Sequence, residues 1–251
     1  MILPAFIATR VNEIQAFNEP TYQWSRSYDK YRSHVAVEKL YLLFPDRKIS
    51  RSAVIQLFKQ DDQILAFVAA MIWGGISTGG VSGDHFSLAL ALETERLLSI
   101  LQTAKQLVVK GQYIRAFQYF EGEGKIPGIG HSFHTKLIFF FGQTSDQMLK
   151  PLIFDRWSKM ALCTLLCDTG LDSDLLRLGC RFKDDEIVIP PRLLAQAYEY
   201  YIHLVNSVAD EINVTASRLE EFLFGCNRKQ DNSNRNPRNY YIQQLRAYFS
   251  V

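Results

Sequence analysis

Apolar residues recur at intervals of three and four along most of this chain, the spacing that lines one face of an α-helix. Val37, Leu40, Tyr41 and Phe44 mark one helix over residues 34–44, and Val54, Leu57 and Phe58 mark another over 50–60, with Pro45 and Asp46 between them. Asp84 caps a long helix from 86 to about 110, marked by Leu88, Leu92 and Leu98 and stopped by Gly111. Tyr113, Ala116, Phe117 and Phe120 give one apolar face, and Phe133, Leu137 and Phe141 give the next. A helix with Trp157, Met160 and Ala161 follows, then a short strand at 187–189 and a helix over 192–213 opened by Pro190 and Pro191. Ser217 and Glu220 form a capping box for a helix that Gly225 ends, and Tyr241, Leu245, Tyr248 and Phe249 line a closing helix. Helical patterns far outnumber strand-like ones, so the fold class is mainly α.

The breaks in this pattern are where chemistry is sought. Ile126-Pro127-Gly128-Ile129-Gly130 joins two helical faces by a proline and two glycines, a hairpin that tolerates positive dihedrals and close backbone approach. The N–H groups opening the next helix have no acceptor within it and suit an anion such as phosphate. The run Pro151-Leu152-Ile153-Phe154 ends in Asp155 before a new helix, the place of a capping carboxylate. From Trp73 to Gly83 the chain is too rich in glycine for an element interior and too long for a tight turn, so it reads as a loop against which something docks. Tyr22, Trp24, Arg26, Tyr28, Lys30, Tyr31 and Arg32 interleave rings and cations, either as a nucleic-acid grip or as an arm packed on the core. Arg228, Lys229, Arg235 and Arg238 make residues 227–239 a basic, solvated connection.

A chain of 251 residues buries a sizeable core as one domain or two closely packed ones. The net charge of +2 neither demands nor excludes nucleic acid, because binding follows local patches. No apolar run reaches membrane-spanning length and the first residues lack the basic stretch of a secretory signal, so an intracellular protein with no membrane partner is expected. Cys163, Cys167, Cys180 and Cys226 have neither zinc-ribbon nor iron–sulfur spacing and read as reduced structural thiols; no metal site is expected.

The hairpin and the carboxylate together resemble the helix-hairpin-helix (HhH-GPD) DNA glycosylases, which carry a Leu/Ile-Pro-Gly-x-Gly hairpin, a helix and then an essential Asp. Residues 61–76 look like the early helix of that family, which leads into a loop that wedges into the DNA minor groove. Residues 130–137 and 218–225 look most similar to the 8-oxoguanine glycosylase-like branch. The resemblance spans about residues 60–225, and implies a two-lobed helical fold with a glycosylase core over 61–225. Residues 1–60 are then an N-terminal helical segment, and 226–251 a linker with a closing helix.

By this resemblance Asp155 acts on the sugar, and Gly128, Ile129, Gly130 and His131 hold a phosphate, with a monovalent cation in the hairpin and no required cofactor. Trp73, Gly74, Gly75 and Ile76 meet the minor groove, Trp73 and Ile76 being the bulky wedge candidates. Two departures bear on mechanism. Where bifunctional members have a lysine, two residues after the last hairpin glycine, this chain has Ser132, as adenine glycosylases of mismatch repair do; Lys136 lies one turn further along the same face. The hairpin-to-Asp spacing is also longer, by about residues 143–150. The expected function is hydrolysis of the N-glycosidic bond of a flipped-out modified base in double-stranded DNA by a monomeric, monofunctional enzyme. The base is an oxidised purine or, as in similar antiviral glycosylases of bacteria, a hypermodified phage base such as glucosylated hydroxymethylcytosine. The rival is a non-catalytic DNA-binding module that keeps the hairpin for phosphate contact alone.

Overall fold

The structure, a computed structural model, describes residues 3–225 and 236–250. Two short helices, α1 (Ala5–Ala8) and α2 (Val11–Gln15), open the chain and belong to one compact unit, with the described residues from Leu152 onward. Residues 19–151 form the other. These units are cut at other places than the segments 1–60, 61–225 and 226–251 read from the sequence, because residues before 19 and after 151 pack together.

The unit of residues 19–151 holds β1 (Thr21–Gln23), α3 (Val35–Leu43), β2 (Lys48–Ser50), α4 (Arg51–Phe58), α5 (Gln63–Trp73), α6 (His85–Leu90), α7 (Thr94–Val109), α8 (Tyr113–Glu121) and α9 (His131–Gln143). Its centre is α5, which is buried on every face from Leu65 to Ile72 and packs on α3, α4, α7 and α9. A helix that is apolar all round has no solvent face to present, so its neighbours must enclose it. Asp62 caps it by accepting the Leu65 N–H. β1 pairs antiparallel with β2, Tyr22 opposite Ile49, an arrangement that the helical pattern did not show. The ring-rich segment around it is largely core: Trp24 and Tyr28 are buried, Trp24 edge-on to Tyr41 and Tyr28 to Phe86. The arm reading of these residues therefore describes their packing.

The helix expected over 86–110 is two helices. One continuous helix would carry the stripe of Phe86, Ala89 and Leu97 straight through Glu93 and bury it. The break after Leu90 leaves Glu93 exposed, avoiding the cost of an unpaired buried charge.

The other unit continues with α10 (Arg156–Asp168), α11 (Asp172–Arg177), β3 (Arg181–Lys183), β4 (Glu186–Val188), α12 (Pro191–Glu211), α13 (Ala216–Phe224) and α14 (Pro237–Phe249). Here α10 is the enclosed helix, buried from Met160 to Leu166 among α11, α12, α13 and α14. The strand read at 187–189 belongs to a hairpin whose partner is β3, turned through Asp184 and Asp185, both at positive φ. The cap of α13 is Thr215, whose hydroxyl accepts the Arg218 N–H, in place of the Ser217 and Glu220 box; Glu220 is buried in the helix interior. Gly225, left-handed, ends it as expected. Cys163, Cys167 and Cys180 are free thiols, and Cys226, Arg228, Lys229 and Arg235 lie outside the described residues. Among the described residues no helix is long and apolar enough to cross a membrane.

The hairpin helices α8 and α9 are clamped by His134, which is 1% exposed, stacks on Phe120 at 5.0 Å and lies 2.9 Å from the Glu121 carboxylate through Nδ1. Burial lowers its pKa below the ordinary histidine value, against the opposing pull of Glu121. The unfolded chain therefore takes up this proton at higher pH than the folded one. The contribution is complete above about pH 6.5 and is lost as the pH falls through the lowered value. His134→Phe keeps the stack and removes the titration, so the fall in denaturant midpoint from about pH 7.5 to 5.5 should be smaller in the variant than in the wild type. At the far end of α9, a Cβ on Gly142 would lie 2.1 Å from Pro151 Cγ. Gly142→Ala should lower stability by about 1–3 kcal/mol in equilibrium unfolding.

Candidate nucleic-acid interface and catalytic groups

In the unit of residues 19–151, the hairpin between α8 and α9 is fastened by two buried side chains, Ile126 and Ile129, while Pro127 and Gly130 are exposed. Gly128 has φ +76, and a Cβ there would stand 2.4 Å from the His85 carbonyl oxygen. Glycine is thus required twice, by the dihedral and by the approach of the hairpin to the start of α6. Gly130 is different, since a Cβ on it would meet nothing within 4 Å. It caps α9 from an extended conformation, and its carbonyl accepts the N–H groups of Phe133 and His134. The first-turn N–H groups ahead of these, at half-exposed His131 and Ser132, have no acceptor inside the helix.

Lys136 is 7% exposed. Its stem lies against the end of α5, where a Cβ on Gly74 would come within 2.8 Å of its Cδ and 2.9 Å of Phe133 Cε1. Its amine reaches back one turn, donating to Ser132 O at 3.2 Å and Oγ at 3.0 Å, and stands 4.5 Å from the centre of the Phe133 ring. The α5 terminus and the α9 start, separate motifs in the sequence, are therefore in direct contact, and Ser132 and Lys136 share one location.

Trp73 is half-buried, edge-on to Tyr22 and to Phe140. Ile76 is 2% exposed and its carbonyl accepts the Tyr28 hydroxyl at 2.7 Å. Both side chains line a cavity of about 420 Å³, with Tyr22, Gln23, Ser27 and Thr78 also on its wall. This cavity lies between β1 and the glycine loop, whose two sides meet through the Tyr22–Trp73 ring contact and the Tyr28–Ile76 hydrogen bond. Arg51 was not singled out in the sequence: it is buried, and its guanidinium lies over the Trp73 and Phe139 rings at 5.3 and 4.7 Å. An arginine on the first turn of an amphipathic helix carries no signal that it will be enclosed.

In the other unit, Asp155 is the N-cap of α10 and is 9% exposed. Oδ1 accepts the N–H groups of Trp157 and Ser158 at 2.9 and 3.1 Å and the Ser158 hydroxyl at 3.2 Å. The same hydroxyl reaches the Ile153 carbonyl at 2.7 Å, tying the cap to the preceding apolar run. No donor among the described residues bonds Oδ2. Lys159, one turn on, has its pKa lowered by burial, with Asp155 and Glu186 pulling the other way. The Trp157 ring carries two guanidinium groups, Arg156 at 4.9 Å and Arg238 at 4.4 Å, and Arg156 pairs with Glu186 at 2.9 Å. Among the described residues no three His, Cys, Asp or Glu side chains gather as metal ligands.

No curated protein and no solved structure gives a significant match to the chain. One family model does, over residues 2–224, and its description is "Putative 8-oxoguanine DNA glycosylase OGG-like protein". With nearly the whole described length matched, and with a mainly helical structure as that family's fold requires, the chain belongs to the OGG-like 8-oxoguanine DNA glycosylase family.

Proposed function

We propose that the protein hydrolyses the N-glycosidic bond of an oxidised purine in double-stranded DNA, with Asp155 acting on the sugar. The observation that carries this reading is the Asp155 carboxylate, one oxygen fixed by two backbone N–H donors and the other without a bond to any described residue. As the C1′–N bond breaks, the electron pair leaves with the base and positive charge grows on the deoxyribose. A carboxylate held in place stabilises that charge without reorganising, and accepts the proton of the water that adds to C1′. The bond is shielded inside a duplex, so the nucleotide must leave the stack. Gly128, Ile129, Gly130 and His131 are assigned to a phosphate, which gains from the first-turn N–H groups of α9. A monovalent cation in the hairpin would find only backbone carbonyls among residues 126–130, neutral oxygen donors that suit a hard ion.

A second reading has its own observation, the Lys136 amine 3.0 Å from Ser132 Oγ. By the resemblance, bifunctional members carry their lysine at the position of Ser132, which this amine meets. It would add to C1′ as the base leaves with the bonding electrons, and ring opening with loss of a proton would give a Schiff base. Water as the attacking group remains our first assignment, because Ser132 occupies the aligned position.

Asp155→Asn keeps a good capping residue, so the fold should survive. Base release from duplexes containing 8-oxoguanine should nevertheless fall about a hundredfold or more in single-turnover assays. Duplex affinity should stay within about twofold, since the carboxylate acts on charge present mainly in the transition state. Undiminished release would remove Asp155 from the mechanism. No release by wild type from duplexes bearing 8-oxoguanine or glucosylated hydroxymethylcytosine, with binding intact, would favour the non-catalytic module.

The products decide between the two attacking groups. With water, the strand stays intact until heated in alkali. With Lys136, borohydride traps a covalent protein–DNA adduct that Lys136→Gln abolishes. We expect the first result.

A further inference from the structure

The unit built on α10 gathers three thiols. Cys163 and Cys167 lie one turn apart on the same face of α10, and Cys180 joins them from the chain that follows α11. The end of α11 brings it there. Gly179 takes a left-handed conformation with φ +62, its N–H on the Leu176 carbonyl, and the Cys180 N–H closes on the Leu175 carbonyl at 3.0 Å. This glycine cap turns the chain and sets Cys180 against α10, where the Cys163 S–H donates to the Cys180 sulfur.

The three differ in access and in electrostatic surroundings. Cys163 is 0% exposed, Cys180 is 7% exposed and Cys167 is half-buried. Exposure alone would make Cys167 the reactive one. Burial and the carboxylates of Asp168 and Asp172 instead push the Cys167 thiol up to about 11, so it stays protonated at neutral pH. Burial and the neighbouring Cys180 sulfur hold Cys163 well above the ordinary cysteine value. Cys180 moves the other way, because the hydrogen bond from Cys163 lowers its value against the cost of burial. The thiolate is the nucleophile, so the reactive sulfur is the one that already touches a second S–H. An ionisable thiol beside a proton-bearing one is the arrangement that oxidises to a disulfide.

We propose that Cys163 and Cys180 form a reversible disulfide when the protein meets hydrogen peroxide, with Cys180 oxidised first and Cys163 resolving it. The Cys180 thiolate gives an electron pair to one peroxide oxygen, the O–O bond breaks, and the hydroxide that leaves takes up a proton as water. Cys180 is then a sulfenic acid. The Cys163 sulfur attacks the Cys180 sulfur while its proton passes to the departing hydroxyl, so the S–O bond breaks and a second water leaves. The pair of thiols loses two electrons and one peroxide is reduced to two waters. The bond ties α10, whose cap is Asp155, to the segment entering β3, and keeps Cys180 from the irreversible sulfinic acid.

The test uses the full chain, treated with hydrogen peroxide, blocked with N-ethylmaleimide and digested with trypsin without reduction. Cleavage after Lys159, Arg177 and Arg181 leaves Cys163 and Cys167 in the peptide 160–177 and Cys180 in the peptide 178–181. We expect these peptides joined, lighter by two hydrogens than their sum, and separated by dithiothreitol. Fragmentation of the wild-type cross-link should place it on Cys163, so the assignment needs no variant. The cross-link should survive Cys167→Ser and be lost in Cys163→Ala, where Cys180 stops at a sulfenic acid that dimedone traps. A cross-link through Cys167, oxidation of Cys226 in place of Cys180, or peptides that stay unlinked would overturn the proposal. None of these readouts depends on activity toward DNA, so the glycosylase reading stands or falls separately.

Discussion

A helix enclosed on every side can offer polar chemistry only at its ends. Its backbone groups bond one another internally, and most of its enclosed side chains are apolar, any polar one needing a partner inside. Both units are built on such helices: α5 and α9 in residues 19–151, and α10 in the other unit. The candidate groups sit at their termini. Trp73 and Gly74 end α5, Gly130 and Ser132 open α9, and Asp155 opens α10. The core therefore fixes where the candidate groups can be, and the positive dipole end of each helix N-terminus favours anions there, as Asp155 at α10 illustrates.

Lys136 is a buried charged side chain that still delivers its polar group to a helix end. Its Cα lies inside the enclosed part of α9, yet the long stem runs back toward the N-terminus, as helical side chains do, and delivers the amine to Ser132 at the end of the helix. Gly74 makes room for that stem: any larger residue would occupy the volume of Lys136 Cδ and Cε. Gly128 and Gly142 do the same for backbone and proline contacts. Three glycines at three helix boundaries thus set how closely the functional segments approach their neighbours.

Lys136 and Lys159, both near the candidate groups, differ in what encloses them. Lys136 shares its site with a hydroxyl and a ring face. Lys159 lies near two carboxylates, those of Asp155 and Glu186, whose attraction only partly offsets the cost of burying its charge. Of the two, Lys136 alone lies on the helix that the hairpin opens, which is why it carries the alternative mechanism.

The sequence by itself determined the helical class, the hairpin, the capping place of Asp155 and the approximate helices, because each is written locally. A 3.6-residue period, a proline between glycines and an acid before an apolar turn need no partner to be read. It placed Trp73 and Ile76 at a glycine loop but not against β1, since strands of three residues have too little period to show and their pairing joins positions far apart. It read one helix over 86–110, because only the enclosing neighbours make Glu93 costly to bury. Tertiary structure alone decided that Arg51 is enclosed, that Ser132 and Lys136 meet beside Gly74, and that residues before 19 pack with those after 151. Each depends on contacts between segments distant in sequence, and close packing across such distances leaves no periodic trace in either segment.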